Sequence, residues 1–448
     1  MSFLNPMNEA RKAQREWEKK GLEMRLRWLG EFQEALIDRR NELTDVLSKE
    51  NGKPPFEALA NEVLPTIQLA NFYGKQAPRV LRPKNIPMTL TYHRKSTLEP
   101  WPLGVVLVIS PWNYPLLLPA GEIMMGLLCG NAVLFKPSEV TPRIARLFHE
   151  VAHSVPGLPK GVFQLFEGDG SVGASLIDAK PDKIFFTGSV ATGKKIMAQA
   201  SQSLTPVNLE LGGKDPILVL EDADLDLATS AALWGAFSNS GQICASIERA
   251  IVHESVVEEF TKKLVEKSLK LRASSTPDDE SDLGRITFPK QKETYERHLS
   301  DARARGLKIV SGGELSSDGL RLAPTVVSGE HVEKSLIYCE ETFGPTLAVT
   351  TFQSDEEAIE KANNSPYGLL ASVFSRDLKR ARRIARELQC GSVLVNEVLY
   401  TAGLPETPWG GVKETGFGKK HTAEGLLEFV HLRHIHEPRF SWLQFKSL

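Results

Sequence analysis

The chain has 448 residues, too many for one small core, and its 54 basic and 56 acidic residues leave a formal net charge of -2. With 41% hydrophobic and 25% charged residues the composition is that of an ordinary globular protein, and no broad field directs it to nucleic acid or to an anionic membrane. Four cysteines, at positions 129, 244, 339 and 390, form neither a CxxC pair nor a dense framework, which suits a reducing cytoplasm.

The N-terminal stretch has no apolar h-region, and runs such as GVVLVI are far too short to span a bilayer, so a soluble, unprocessed chain is expected. From Asn8 to about Glu50 the charges are dense, while Leu22, Leu26, Leu29, Leu36, Leu43 and Leu47 recur at helical spacing. These are amphipathic helices closed by the NGKPP break, and a further helix is predicted to about Tyr73. Between Pro83 and Pro100 the polar, β-branched, roughly alternating KNIPMTLTYHRKSTLE reads as an exposed hairpin, which invites a partner chain.

After Pro102 the runs GVVLVIS, NAVLFKPS, GVFQLFEG and DKIFFTGS each give way to turn residues and then a helical pattern. That is βα alternation with strands buried on both faces. A second series runs through DPILVLEDAD, ERAIVHES, LAPTVVSG, TLAVTTFQS and GSVLVNE. In its helix SVVEEFTKKLVEKSLKL, Ser255 and Glu258 have capping-box spacing, and Val257, Phe260, Leu264 and Leu271 mark one face. The fold class is therefore α/β, with two Rossmann-like domains and an appendage made of the hairpin and the C-terminal tail.

Two glycine-rich βα turns could receive a dinucleotide. GDGSVG, from Gly168 to Gly173, matches GxGxxG, and FFTGSVATGKK sets Gly188, Ser189 and Gly193 between strand and helix, where backbone N–H groups could meet a pyrophosphate. Upstream, LFKPSE ends a strand with Lys136 and Glu139. A carboxylate there can accept both ribose hydroxyls and would repel a 2'-phosphate, which favours NAD over NADP, although a surface ion pair is the plainer reading of these two residues.

The chemistry rests on SNSGQICASIER, where Cys244 follows a Gly-Gln pair and precedes two small residues. A thiol that attacks a carbonyl needs donors for the oxyanion and, for product to leave, a base that activates water. Asn113 in SPWNYP is either such a donor, together with the Cys244 backbone N–H, or an Asx-turn residue before Pro115. Glu210 in NLELGGKDP is either the base or a paired structural carboxylate. No His or Asp motif beside Cys244 suggests a thiol–imidazole dyad, which weakens a cysteine protease reading.

Taken in order, PWNYP, KPSE, FTGSVATG, LELGGKDP, FSNSGQICASIER, EETFGP, NSPYGLLASVFS, GSVLVNE and PWGGVKETGFG resemble the NAD(P)-dependent aldehyde dehydrogenase superfamily, and the shorter class-3-like members most. The resemblance implies a cofactor-binding domain at 1–83 and 101–211 and a catalytic domain at 212–414. It also implies an oligomerisation element at 84–100 and 428–448, with 415–427 returning to the cofactor domain as a helix. It makes Cys244 the nucleophile, Asn113 the oxyanion donor and Glu210 the deacylating base. NAD, or NADP, would lie on Lys136, Glu139, Ser189, Glu341, Phe343 and Trp112, with its adenine side near Gly168 and Gly188. Tyr114, Ile243, Ala245 and Trp409 would line an apolar substrate channel suited to medium-chain aliphatic or aromatic aldehydes. The expected assembly is a homo-oligomer, preferably a dimer.

In the tail HLRHIHEPRFSWLQFKSL, His431 would face opposite to His434 and His436 on a strand, so no metal site is expected. Phe440, Trp442, Leu443 and Phe445 are expected to pack on a neighbouring domain or subunit.

Overall fold

The runs of Val, Ile, Leu and Phe that follow residue 104 fold as parallel strands with both faces covered, as seen in a computed structural model that describes residues 3–439 apart from 275, 277 and 279. The first sheet has six strands in the spatial order Gly416–Phe417, Val207–Glu210, Lys183–Thr187, Val105–Ile109, Ala132–Lys136 and Phe163–Leu165. All pair in parallel except the short Gly416–Phe417, which lies antiparallel to Val207–Glu210. The chain adds strands to one side of Val105–Ile109 and then crosses to the other with Lys183–Thr187. Strand order therefore reverses there, and the crevice at the carboxyl ends of these two strands is the place a doubly wound sheet offers a ligand.

The second sheet has seven strands, in the order Lys308–Ser311, Thr325–Ser328, Thr346–Phe352, Ile247–His253, Asp215–Val219, Leu370–Phe374 and Ser392–Val395. Only Lys308–Ser311 is antiparallel. Pro216 lies in an interior strand, where a missing N–H is normally excluded, and the register shifts at Asp215/Pro216 to accommodate it. The third sheet joins Lys84–Ile86, Arg94–Pro102 and the tail strand Val430–Pro438, all antiparallel.

The N-terminal helices cover the first sheet. Leu29, Leu36, Leu43 and Leu47 are buried, as their spacing requires, and Gly52 closes the third helix at φ 87. The helix expected to end near Tyr73 runs instead from Leu64 to Val80, through Pro78, because Ala77 and Val80 continue the buried face and outweigh the proline. The capping box is not formed: Val256 precedes helix Val257–Ser268 without a side-chain cap, and the Ser255 hydroxyl turns to His253 Nδ1 at 2.8 Å. Phe260 and Leu264 of that helix are buried, while Leu271 lies beyond its end.

The return segment folds as helix Thr422–Leu427, packed on Leu64–Val80 and Leu117–Leu128. Just beyond it, Phe429 stacks on Phe185 at 4.1 Å between ring centroids. Along the tail strand the rings of His434 and His436 stand 5.9 Å apart, and His436 Nδ1 meets Ser96 Oγ at 2.7 Å. Phe440, Trp442, Leu443 and Phe445 lie outside the described residues.

Candidate active site

Cys244 lies in the loop between the tight turn Ser238–Gly241 and strand Ile247–His253. Three successive residues of that turn, Asn239, Ser240 and Gly241, have left-handed φ values of 48, 54 and 71. A side chain at Gly241 would run into the Gly344 carbonyl, so the turn needs glycine there on two counts. The reversal aims Asn239 Nδ2 at the backbone carbonyls of Asn113 and Gln242, both at 3.2 Å. It thereby ties the Cys244 loop to the loop that follows Val105–Ile109.

Asn113 is 3% exposed and donates one amide hydrogen to the Gln242 carbonyl at 3.0 Å. The amide has a second hydrogen, and the side chain lines the same cleft as Cys244. Its main chain is fixed from below. Lys53 Nζ donates to the Asn113 carbonyl at 3.0 Å, pairs with Glu62 at 2.5 Å, and lies 4.2 Å from the centre of the Tyr114 ring. Glu62 in turn accepts the N–H groups of Leu116 and Leu117 at 2.9 and 3.2 Å.

Burial pushes the Cys244 thiol up to about 12, and the nearby carboxylates of Glu210, Asp215 and Glu341 add to the effect. Glu210 ends strand Val207–Glu210 and is 6% exposed. Its Oε1 is buried without a hydrogen-bond partner, and burial raises its carboxyl to about 7, opposed chiefly by the Lys420 ammonium. A carboxylate with one oxygen free, gaining or losing a proton near neutral pH, has the properties of a general base.

A cleft of about 810 Å³ opens at the switch point of the first sheet. Trp112, Asn113, Lys136, Glu139, Gly188, Ser189, Cys244, Glu341 and Phe343 all line it. At one end Lys136 is buried and meets the half-exposed Glu139 at 3.3 Å. Ser189 caps helix Val190–Ala200, and a Cβ at Gly188 would collide with the Phe186 ring, so bare backbone faces the cleft. At the other end Glu341 accepts the Gly213 N–H at 3.0 Å and fills the space a side chain at Gly212 would need. Phe343 packs edge-on to Trp112, with centroids 5.4 Å apart. Gly168 is not brought to the cleft. It turns the chain at φ 134 before the Asp169-capped helix Gly170–Asp178, and Gly170, Gly173 and Ala174 form that wall instead.

A second cavity, of about 330 Å³, also reaches Cys244. Tyr114, Ile243, Ala245 and Trp409 line it, as the sequence suggests, together with Leu69, Tyr73, Met125, Trp234 and Leu404.

Several residues of the site are not found from sequence. The buried pair Lys214 and Glu248 is one case: Glu248 accepts the N–H groups of Thr342 and Phe343 at 2.8 and 2.9 Å, which sets the position of Glu341 and Phe343. Glu57, which accepts the Asn239 N–H at 2.8 Å, is another, and the Lys420–Glu122 pair is a third. A signal existed for Glu122, the lone charge in the apolar helix LLPAGEIMMGLL.

The aldehyde dehydrogenase family model matches residues 4–435. The chain is 40% identical over 427 residues to 4,4'-diapolycopene aldehyde oxidase of Methylomonas, covering 95% of this chain and 79% of that one. The betaine aldehyde dehydrogenase of Staphylococcus aureus, solved with NAD+, superposes with a TM-score of 0.92 at 31% identity, covering 99% and 91% of the two chains. An aldehyde dehydrogenase of Bacillus cereus, also solved with NAD+, gives 0.92 at 29% identity, covering 97% and 88%. The fold, the match along nearly the whole length and these relatives together establish that the chain belongs to the aldehyde dehydrogenase family.

Proposed function

We propose that this enzyme oxidises apolar aldehydes to carboxylic acids by a non-acylating route, with Cys244 as nucleophile, Asn113 as oxyanion donor and Glu210 as base. The observation that carries the reading is that Cys244 stands where two cavities of different character meet.

The cleft suits a dinucleotide: Gly188 leaves backbone open beside a helix N-terminus, and Glu139 and Lys136 offer hydrogen bonds to a ribose. Glu139 would meet a 2'-phosphate with like charge, which favours NAD over NADP. When bound, NAD accepts a hydride. Cys244, a neutral thiol at rest, releases its proton to solvent as its sulfur adds to the aldehyde carbon, and the second Asn113 amide hydrogen and the Cys244 backbone N–H hold the oxyanion. Loss of hydride leaves an acyl thioester on Cys244. Glu210 then takes a proton from water, the hydroxide adds to the thioester, and the acid departs with the thiolate restored.

Among the described residues lining the second cavity there is no arginine, and its single lysine, Lys420, is already paired with Glu122. A substrate carboxylate would find no free counter-charge there, whereas an aliphatic or aromatic tail fits. The domain assignment is 1–83 with 101–211 for the cofactor and 212–414 for catalysis. The oligomerisation element is 84–100 with 428–448, the latter described to residue 439, with a homodimer favoured because Val430–Pro438 is an edge strand exposing Leu432 and Ile435. A cytoplasmic location accords with four free cysteines, and among the described residues no helix is long and apolar enough to cross a membrane.

The test is NADH formation from aldehydes graded in length and charge, with and without coenzyme A. Turnover without coenzyme A, highest for uncharged apolar aldehydes and abolished in Cys244→Ala, is expected. A requirement for coenzyme A, or a preference for an anionic semialdehyde, would overturn the reading.

A further inference from the structure

The base of the proposed reaction has a neighbour that the reaction scheme leaves unused. Lys420 precedes helix Thr422–Leu427, and its ammonium group is almost wholly buried. Nζ meets Glu122 Oε1 at 2.6 Å and donates to Thr187 Oγ1 at 2.7 Å. Thr187 and Glu210 are direct partners in the parallel pair of strands, so their side chains leave the same face of the sheet. Lys420 is also joined to Trp409 by reciprocal backbone bonds of 3.1 and 2.8 Å, and the Trp409 side chain acts as a donor toward Glu210. Two backbone registers thus bring one ammonium beside the carboxylate.

Glu122 is the only charged residue of helix Leu117–Leu128, which is otherwise buried and apolar over most of its length. A lone charge in such a helix is costly unless paired. Lys420 pairs it and, through Thr187, lies beside Glu210 as well. The cluster therefore holds one cation between two acids. Glu210 Oε1 receives no hydrogen bond, so nothing else on that oxygen favours the anion.

We propose that Lys420 is a positioning residue for the deacylation step: its ammonium keeps Glu210 in the anionic form that accepts a proton from water, and Glu122 limits how strongly it does so. The inference rests on Glu210 being the base. The other groups around the cluster fit this assignment. Cys244 is held as the neutral thiol, and Tyr73, from helix Leu64–Val80, is pushed up by burial and by Glu122. His421 is pushed down to about 4 by burial and by Lys420, so at neutral pH it brings no second cation. Lys420 itself is raised, because its two acids outweigh its burial.

The two partners make predictions of opposite sign. In Lys420→Met two buried acids lose their cation, Glu210 holds its proton to higher pH, and the acidic limb of deacylation moves up. In Glu122→Gln the whole ammonium acts on Glu210, and the limb moves down. Lys420→Arg retains the charge and keeps the limb near its original place. Because Lys420→Met leaves Glu122 without its cation in the core and endangers the fold, the near-isosteric Glu122→Gln supplies an independent reading.

The experiment loads the full-length protein with an acetyl group from p-nitrophenyl acetate, removes the excess ester, and follows loss of acetyl from the Cys244 peptide by mass spectrometry across pH. Expected are a fall of about fivefold at pH 7 in Lys420→Met with its limb raised by about one pH unit, and a lowered limb in Glu122→Gln. Equal loss of rate at every pH in both variants, with unmoved limbs, would overturn the inference alone. Failure of Cys244 to take up acetyl in the unmodified protein would instead overturn the reading of the site on which it rests.

Discussion

Replacing Glu210 by Gln separates the two halves of the proposed reaction, and the size of its effect follows from the burial of the carboxyl. Glu210 is raised to about 7 because the charged form loses water that nothing but the Lys420 ammonium and the Trp409 side chain replaces. The active form is the anion, so deacylation must rise with pH through that value and level off above it. With a midpoint near 7 the ionised fraction grows from about 9% at pH 6 to about 91% at pH 8, a rise of about tenfold. A carboxyl at the ordinary ~4.3 would already be about 98% ionised at pH 6 and would give a flat profile. Glutamine keeps the shape of the side chain but accepts no proton, and loss of a general base costs about 10²–10⁴ in rate. Rapid mixing of enzyme, NAD and aldehyde should therefore show a burst of NADH of nearly unchanged rate in Glu210→Gln, followed by a slow phase without the rise between pH 6 and pH 8. If the burst vanished as completely as in Cys244→Ala, Glu210 would be acting on the thiol and the assignment would be wrong.

Two other substitutions probe different links. Asn113→Ala removes the proposed oxyanion donor and should slow the burst itself by about 10²–10³, leaving the decay of a preformed acyl-enzyme less affected than in Glu210→Gln; an undiminished burst would assign the oxyanion to other donors. Phe429→Ala empties a site that is 1% exposed and stacked on Phe185, and should lower unfolding stability by about 3–5 kcal/mol in urea titration. A loss below about 1 kcal/mol would mean that the returning chain is not part of the first core.

Much of this architecture can be read in the sequence because its signals are local. Apolar runs followed by turn residues gave the strands of both sheets, and glycine and asparagine near a cysteine marked the loops that meet at Cys244. What escaped depends on pairing across the chain. Glu122 looks like an anomaly in an apolar helix until Lys420 arrives from the C-terminal segment, and Lys214 acquires meaning only beside Glu248. Ser255 and Glu258 have the spacing of a cap, yet His253 captures the hydroxyl first. The helix predicted to about Tyr73 runs on to Val80 through Pro78, because the burial of Ala77 and Val80 prevails. The GxGxxG match at Gly168 reports a turn and a helix start, which need glycine whether or not a nucleotide lies nearby.

The segment from Trp409 to Phe429 supplies much of what surrounds Glu210: Trp409, Gly416 and Lys420 all reach Glu210 or its strand, and Phe429 packs on Phe185. During synthesis Cys244, the cleft residues and most strands of the first two sheets emerge before it. A chain ending near residue 405 would carry Cys244 and most of the cleft lining, but Glu210 would lack both Trp409 and Lys420. The environment of Glu210 is therefore assembled only once the segment from Trp409 to Phe429 has folded onto the first sheet.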